Sequence, residues 1–597
     1  MEGESRVNSS REQMTEKDAS VNPITLAVIM SKLQSIAEEM GIIMLRSSRS
    51  PTLCDAGDYV CAVLNWDSKL IALVEQIAQL TMATPFAVRA TAEFFGDEIY
   101  PGDIMIHNDP YPGGNHIADW TVLCPIFIGE ELVGWAATKA HQIDTGGAIP
   151  GGYYPDATDI FQEGLIMPPV KIYEGRKIRR DVFNLILKNV RIPRNQEGDL
   201  HAMIGSVKVC ERRIQELIKK YGLETYKVTI NNILESSERR MRAALDKIPD
   251  GTYEGNAEIE FFLGSETKIV KVKNTITIKE TEMVVDFTGS DAQIDNYINS
   301  PLANTYSCVY AALLTSLDPD IPQNDGCFTP IEIIAPEGTI VNPTWPAPAG
   351  MATLIPADLI MEACWRALSV VIPENVSSAW YKINSPISYS VDPRIEELNA
   401  CIHFNQEGGA GAVWGRDGQP ATGTSADLAG AIRPVIETYE VEFPILTLAC
   451  ELPQDSGGPG RWRGGLGVRY SFKAWPPHPS TVVALLYDTQ TPVRGILGAG
   501  NGITNEAWRI KPNGEKTFLT GGQYEFEPED VYLGISQGGA GVGSPLERDI
   551  ELVRNDVLDE YVSLESAKKH YGVVMNPEAL EIDYEATRKL RADMKGK

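Results

Sequence analysis

His107-Asn108-Asp109-Pro110-Tyr111-Pro112-Gly113-Gly114-Asn115-His116-Ile117-Ala118-Asp119 precedes two apolar runs, Thr121–Ile128 and Leu132–Lys139, and then His141-Gln142-Ile143-Asp144-Thr145-Gly146-Gly147. The two runs read as short strands of one hairpin. Gly and Pro crowd the flanking segments, so these are turn-forming loops at the hairpin's open end, a usual place for a site. A two-strand excursion returns the chain to its start. His141 therefore comes back to His116 and Asp119, although 25 residues separate the two histidines. Two imidazoles and a carboxylate are the minimal donor set for a divalent metal that keeps open positions. The chain has 7 histidines, and three of them fall between 107 and 141.

Asp144, Asp109 and Asn115 are at hand to fix the imidazole tautomers. A metal so held polarises a carbonyl or carboxyl oxygen. A metal-free site competes with this reading, with His141 as general base and Asp144 as its orienter. The plainest alternative gives these aspartates no chemistry, because Asn-Asp-Pro and Ile-Asp-Thr-Gly-Gly are common turn sequences.

Outward from this segment, Asn22-Pro23 caps and opens a helix. Leu26, Ile29, Leu33, Ile36, Met40 and Ile43 form its apolar face. Tyr59–Leu64 and Leu70–Val74 read as strands, and Ala78–Phe95 as one helix. Further helices are expected over 197–221, 226–246, 301–316 and 356–372, with a hairpin or meander after Gly251. Glycine is dense at 408–415, 457–467 and 538–543. No helix tolerates that density, which instead allows tight turns and close backbone approach. The division expected is a disordered tail over 1–20, an α/β region over 21–250 carrying the His/Asp site, and a β-rich then helical region over 251–404. A Gly-rich region over 405–550 and a helical segment over 551–597 follow.

The 597 residues carry 81 acidic and 53 basic side chains, a net charge of −28, which disfavours nucleic acid and anionic membrane as partners. No apolar run reaches the length of a membrane span, and Met1–Ser20 has no signal-type apolar core. Nine cysteines with no Cys-x-x-Cys pair read as reduced thiols of a cytoplasmic protein. No Walker A loop and no strand-borne G-x-G-x-x-G is present, so ATP or a dinucleotide is not bound by a standard loop. The one G-x-S-x-G, Gly534–Gly538, is followed by more glycines rather than a helix and is not read as a nucleophile elbow.

At these residues the chain resembles the hydantoinase B / oxoprolinase B family, which includes subunits of ATP-dependent ketone carboxylases. The likeness runs from Asn22-Pro23-Ile24-Thr25 to Tyr571-Gly572-Val573-Val574. It is carried by Asn108-Asp109-Pro110-Tyr111 with Gly113-Gly114, by His116 with Asp119, and by Asp156-Ala157-Thr158-Asp159 through Gly164. It continues in Asp286-Phe287-Thr288-Gly289-Ser290, Asn324-Asp325-Gly326-Cys327, Ser456-Gly457-Gly458-Pro459-Gly460-Arg461 and Pro545-Leu546-Glu547-Arg548-Asp549. The resemblance implies an α+β fold with β-sheets in a barrel-like arrangement and a Gly-rich bundle of polyproline-II-like segments. It implies a multisubunit complex with kinase-like partners of the actin/hexokinase superfamily (hydantoinase A type), which bind the ATP, and small accessory subunits. It implies a divalent metal, Zn, Mn or Fe, on His116, Asp119 and His141.

Two departures bear on the branch. Gln142 stands where hydrolase members carry a second His, and a family E-H-I-P-x-H segment reads Glu75-Gln76-Ile77-Ala78-Gln79-Leu80. Fewer imidazoles suit chemistry that excludes water. The expectation is a subunit of acetophenone carboxylase type, joining the enol phosphate of a ketone to activated bicarbonate. Here Asp144 orients His141, Asp109 and His107 shape the pocket, and Arg46 and Lys139 are the candidate cations for anionic intermediates. The alternatives are a subunit of an ATP-dependent cyclic amide hydrolase, or a non-catalytic scaffold for the kinase-like subunits.

Overall fold

The computed structural model describes residues 22–264 and 266–595; the tail expected over 1–20 lies outside them. Among the described residues the fold is α+β with four sheets. The first contains Tyr59–Asn65 (β1), Leu70–Glu75 (β2), Ile104–His107 (β3), Asp119–Ile128 (β4), Glu131–His141 (β5), Val170–Glu174 (β6) and Lys177–Ile178 (β7). These run antiparallel in the order β2-β1-β5-β4-β3-β6-β7.

Period-two alternation gives this sheet two different faces. Tyr59, Cys61, Val63, Ile104, Ile106, Trp120, Val122 and Ala140 point to a core shared with the helices Pro23–Ser47 and Pro193–Tyr221. Ala62, Leu64, Met105, Leu123 and Ala137 point the other way, into the largest core of the molecule. That core is completed by a second sheet, Gly251–Leu263 (β8), Glu266–Lys279 (β9), Glu282–Asp286 (β10) and Ile331–Ile334 (β11), and by the helices Leu302–Leu317 and Ile355–Leu368. The first sheet is thus buried on both faces, which explains why β1 is apolar along most of its length.

Asn384–Asp392 (β12), Glu397–Ile402 (β13), Ser480–Leu486 (β16) and Gly522–Phe526 (β19) form the third sheet. Ile445–Glu451 (β14), Arg469–Ala474 (β15), Glu506–Ile510 (β17), Lys516–Phe518 (β18) and Val531–Ile535 (β20) form the fourth. Cys401, Val482, Ala484 and Phe526 of the third meet Ile445, Tyr470, Phe472 and Tyr532 of the fourth in one core. Each of the four sheets is open in strand order, so the expected barrel-like closure is not what forms.

The glycine clusters lie mostly outside the strands and bond to one another through the backbone. Gly409 donates to Gln537, Gly465 to Ala410, Gly539 to Gly465, and Gly458 to Gly539. A Cβ on Gly539 would sit 1.9 Å from the Ala410 carbonyl oxygen, so glycine is required there by contact.

The helix expected over 78–95 is two, Ala78–Thr81 and Thr84–Phe95, because Pro85 suits a first turn and not an interior. Strands β4 and β5 are longer than the apolar runs suggested. They extend to Asp119 and to His141, which are register partners at the open end of the hairpin.

Candidate metal centre and cavity

Register builds the site. Asp119 opposes His141, Thr121 opposes Lys139 and His107, and Lys139 opposes Val60. Alternation puts Asp119, Thr121, His141, Lys139 and His107 on the sheet face that looks into the largest core. His116 joins from the loop before β4, where Asp119 N donates to the His116 carbonyl. One ligand atom from each of His116, Asp119 and His141 lies within 4.8 Å of the others, and all three residues are buried.

The contacts within this cluster are those of converging lone pairs. His116 Nδ1 is 2.7 Å from Asp119 Oδ2, and His141 Nδ1 is 3.5 Å from Asp119 Oδ1. Even so, both nitrogens of His116, both carboxylate oxygens of Asp119 and Nε2 of His141 find no aligned hydrogen-bond partner. Buried polar atoms are rarely left so, and one nitrogen from each imidazole together with the Asp119 carboxylate, this close to one another, call for a common partner. Two imidazoles and a carboxylate fit a divalent cation such as Zn, Mn or Fe.

The electrostatics agree. Burial pushes the Asp119 carboxyl up, but His116 and His141 overcome this and hold it below the ordinary range. Burial dominates at His116 and lowers it, so its imidazole is held neutral, the form that ligates metal. At His141 the carboxylates of Asp119 and Asp58 outweigh burial and raise it.

Asp58 is the residue that the motif reading missed. It precedes β1, its carbonyl accepts from His141 N, and burial lifts its carboxyl to about 6 against the pull of His141. The sequence signalled it only by its place before a strand, far from the His/Asp block; pairing of β1 with β5 brings it in.

A cavity of about 50 Å³ opens beside the cluster, lined by Asp58, Asp119, His141 and Tyr153. Ile77, Leu80, Ile383, Ile402, Phe404 and Leu485 form its apolar walls, and Gln79, Ser385, Glu407, Thr424 and Asp427 add polar groups. The Tyr153 ring stacks on His141 with centroids 5.7 Å apart.

The other expected site residues lie outside the cavity lining. Asp144 does not orient His141: its carboxylate accepts from the Arg191 backbone at 2.6 Å and from Arg191 Nη1 at 3.2 Å, tying the loop after β5 to the segment that opens the next long helix. Asp109 accepts from Tyr111 N at 3.1 Å and shapes the turn, outside the cavity lining. His107 is buried at the end of β3, where burial and the Lys139 cation bring it down to about 3. Lys139 is buried with Nζ 2.8 Å from Asn115 Oδ1. Arg46 is exposed in the last turn of its helix. Ser536 of the G-x-S-x-G bonds with the Val468 backbone.

Such a chain is an α+β protein with a buried imidazole–carboxylate centre at the open end of a hairpin. It belongs to the Hydantoinase B/oxoprolinase family, whose model matches residues 22–545. Caprolactamase subunit beta of Pseudomonas jessenii is 33% identical over 96% of this chain and 99% of its own length. The crystal structure of ATP-dependent caprolactamase from Pseudomonas jessenii superposes with a TM-score of 0.90, at 32% identity, covering 96% of this chain and 100% of that one. The nucleotide-free structure of acetone carboxylase shares the fold, with a TM-score of 0.88 at 20% identity over 96% of this chain and 83% of that one.

Proposed function

We propose that this chain is the substrate-processing subunit of an ATP-dependent cyclic amide hydrolase. The carrying observation is the set of converging, unpartnered donor atoms of His116, Asp119 and His141 beside a mostly apolar cavity. The end-to-end likeness to a caprolactamase subunit supports the substrate class. A bound divalent cation supplies a Lewis acid for the amide or carboxylate oxygen. His116, Asp119 and His141 hold it, with Asp58 alongside. Apolar side chains hold the ring of the substrate, and Tyr153 keeps His141 in place by stacking. The cavity takes an ion and a few waters as it stands; substrate entry therefore parts its walls.

ATP belongs on a kinase-like partner of hydantoinase A type, because this chain carries no standard phosphate-binding loop. Activity is accordingly expected only in the complex. The test is ring opening of a lactam panel by the reconstituted complex, with and without ATP. ATP-dependent appearance of the amino acid supports the proposal, and its absence across the panel overturns it.

Ketone carboxylation is the second reading, favoured by Gln76 and Leu80 in place of family histidines. Leu80 and Gln79 line the cavity, so it gains no further imidazole from that segment. The two readings separate by product: carboxylation places labelled bicarbonate carbon in the acid formed, and lactam hydrolysis does not. A scaffold role would leave complex activity intact in H116A and D119A.

A further inference from the structure

Residues of the Gly-rich region line the same cavity as the His/Asp cluster. Glu407, Thr424 and Asp427 line it there, and they are 7%, 1% and 8% exposed. Their placement is built by glycines. A Cβ on Gly408 would lie 2.0 Å from Tyr381 Cγ, so its absence lets the Tyr381 ring pass under the chain and its hydroxyl donate to Glu407 Oε2. Gly423, at φ +114°, leaves room beside the Asp427 carboxyl, 3.1 Å from where a Cβ would stand. Thr422 and Gly423 both donate to the Gly408 carbonyl, which locks the two segments together. Two further polar atoms of this cavity lack any partner although their residues are almost wholly buried, Thr424 Oγ1 and Gln79 Oε1. Buried hydroxyl and amide oxygens without partners on a cavity wall mark a place for a polar group of a ligand.

We propose that Glu407 is the general acid of this site, positioned by Tyr381, and that Thr424 and Gln79 receive the N–H of the substrate's leaving group. The proposal rests on the amide-hydrolysis reading above. In that reaction the bond between carbonyl carbon and ring nitrogen breaks and its electron pair goes to nitrogen. Nitrogen takes the Glu407 proton, while water oxygen bonds to the carbonyl carbon. The proton that this water sheds returns to the Glu407 carboxylate, so one water is consumed and the acid is regenerated. Glu407, Asp119 and His141 line one cavity, so a single amide group bound there meets both the acid and the proposed metal site.

The groups facing Glu407 support a proton there at neutral pH. Burial lifts its carboxyl to about 7, opposed by Tyr381 and Arg433 and reinforced by Asp358. Asp427 is pushed well above the ordinary range by burial and by Glu407, Asp358 and Asp58, with Ala429 N opposing. An acid must carry its proton to act, so the rate falls as pH rises through that of Glu407.

The experiment compares the wild-type complex with complexes bearing E407Q and E407D. Lactam turnover is followed from pH 5 to 9, with metal content and thermal midpoint measured in parallel. E407Q is expected to lower kcat about 100-fold and to abolish the alkaline fall in rate. E407D is expected to restore part of the rate, with metal content and midpoint close to wild type throughout. An infrared difference spectrum between wild type and E407Q at pH 6 reads the carboxyl directly, with or without turnover. A protonated-carboxyl band lost in E407Q supports the proposal. A wild type that opens no lactam overturns the substrate reading while the infrared band still decides the acid. An active E407Q with its alkaline limb intact, or no band difference, overturns the role of Glu407.

Discussion

Asp119 is the residue on which the candidate centre turns, since both imidazoles approach its carboxylate and nothing else in the cluster carries a negative charge to both. Asp119→Ala is expected to abolish metal retention. It should also remove the chelator-sensitive part of the protein's stability, about 4 kcal/mol when the ion stands at a thousand times its Kd. Metal analysis and thermal melts with and without EDTA measure this; a variant that keeps its metal and its EDTA shift refutes the assignment. A second single-residue prediction concerns His403, which is buried between Ser388 Oγ at 2.8 Å and Tyr470 OH at 3.1 Å, with its ring stacked on Phe472. Burial lowers it to about 3. Between its ordinary value near 6.5 and 3, the unfolded chain binds a proton that the native protein refuses. Its contribution to stability is therefore intact above about pH 6.5 and is lost at up to about 1.4 kcal/mol per pH unit as pH falls towards 3. A shallower acid limb in urea titrations of H403N would show it, and an unchanged slope would not. At this scale His116, Asp119 and His141 were legible because a hairpin has only one way to bring its ends together. Asp58 and Asp144 were not: strand pairing across the sheet recruited the first, and Arg191 claimed the second.

Elements were legible where local periodicity speaks and illegible where contact decides. The apolar face from Ile29 to Met40 is the buried face of Pro23–Ser47, and the Gly251 meander forms as β8, β9 and β10 in antiparallel order. The glycine clusters announced close approach but not their partners, because backbone bonds such as Gly409 to Gln537 join segments far apart in the chain. Two glycines separate propensity from contact. Gly205 lies inside the helix Pro193–Tyr221, and a Cβ there would meet only Ile43 Cγ2, at 3.6 Å. G205A should stabilise the protein by about 0.5–1 kcal/mol, the helix-propensity difference. Gly539 faces the Ala410 carbonyl at 1.9 Å, and G539A should destabilise by about 1–3 kcal/mol as the segments are forced apart. Denaturant midpoints of the two variants test the pair, and shifts of the same sign would contradict it.

On the scale of the whole molecule, the C-terminal helices Ile550–Leu558, Leu564–Lys569 and Tyr584–Lys595 have a small core of their own, built on Val553, Val557, Val562, Ala567, Tyr571 and Val573. A largely buried ionic knot joins that core to the Gly-rich region, beside hydrogen bonds of Asp455 with Tyr561 and Ser563. Arg548, 1% exposed, grips Asp417 with both terminal nitrogens at 2.7 Å and reaches Asp556 through Nε at 3.0 Å. Arg463 approaches the other Asp556 oxygen at 3.4 Å, and its backbone N donates to Asp417 at 2.7 Å. Two aspartates and two arginines balance in charge, and the planar guanidinium of Arg548 matches a carboxylate in a way that an ammonium does not. Arg548→Met keeps the length and apolar bulk of the side chain but strands the Asp417 and Asp556 carboxylates against one remaining cation. Breaking a buried pair from one side costs about 3–5 kcal/mol, so that is the expected loss. Because the knot joins two separate cores, the loss should appear first as release of the C-terminal segment. Limited proteolysis would then cut after residue 549 at concentrations of denaturant where the rest of the chain still resists. Arg548→Lys should fall between wild type and Arg548→Met. Uniform loss of protection across the chain, with no early C-terminal cleavage, would mean that the knot does not hold two separable parts together.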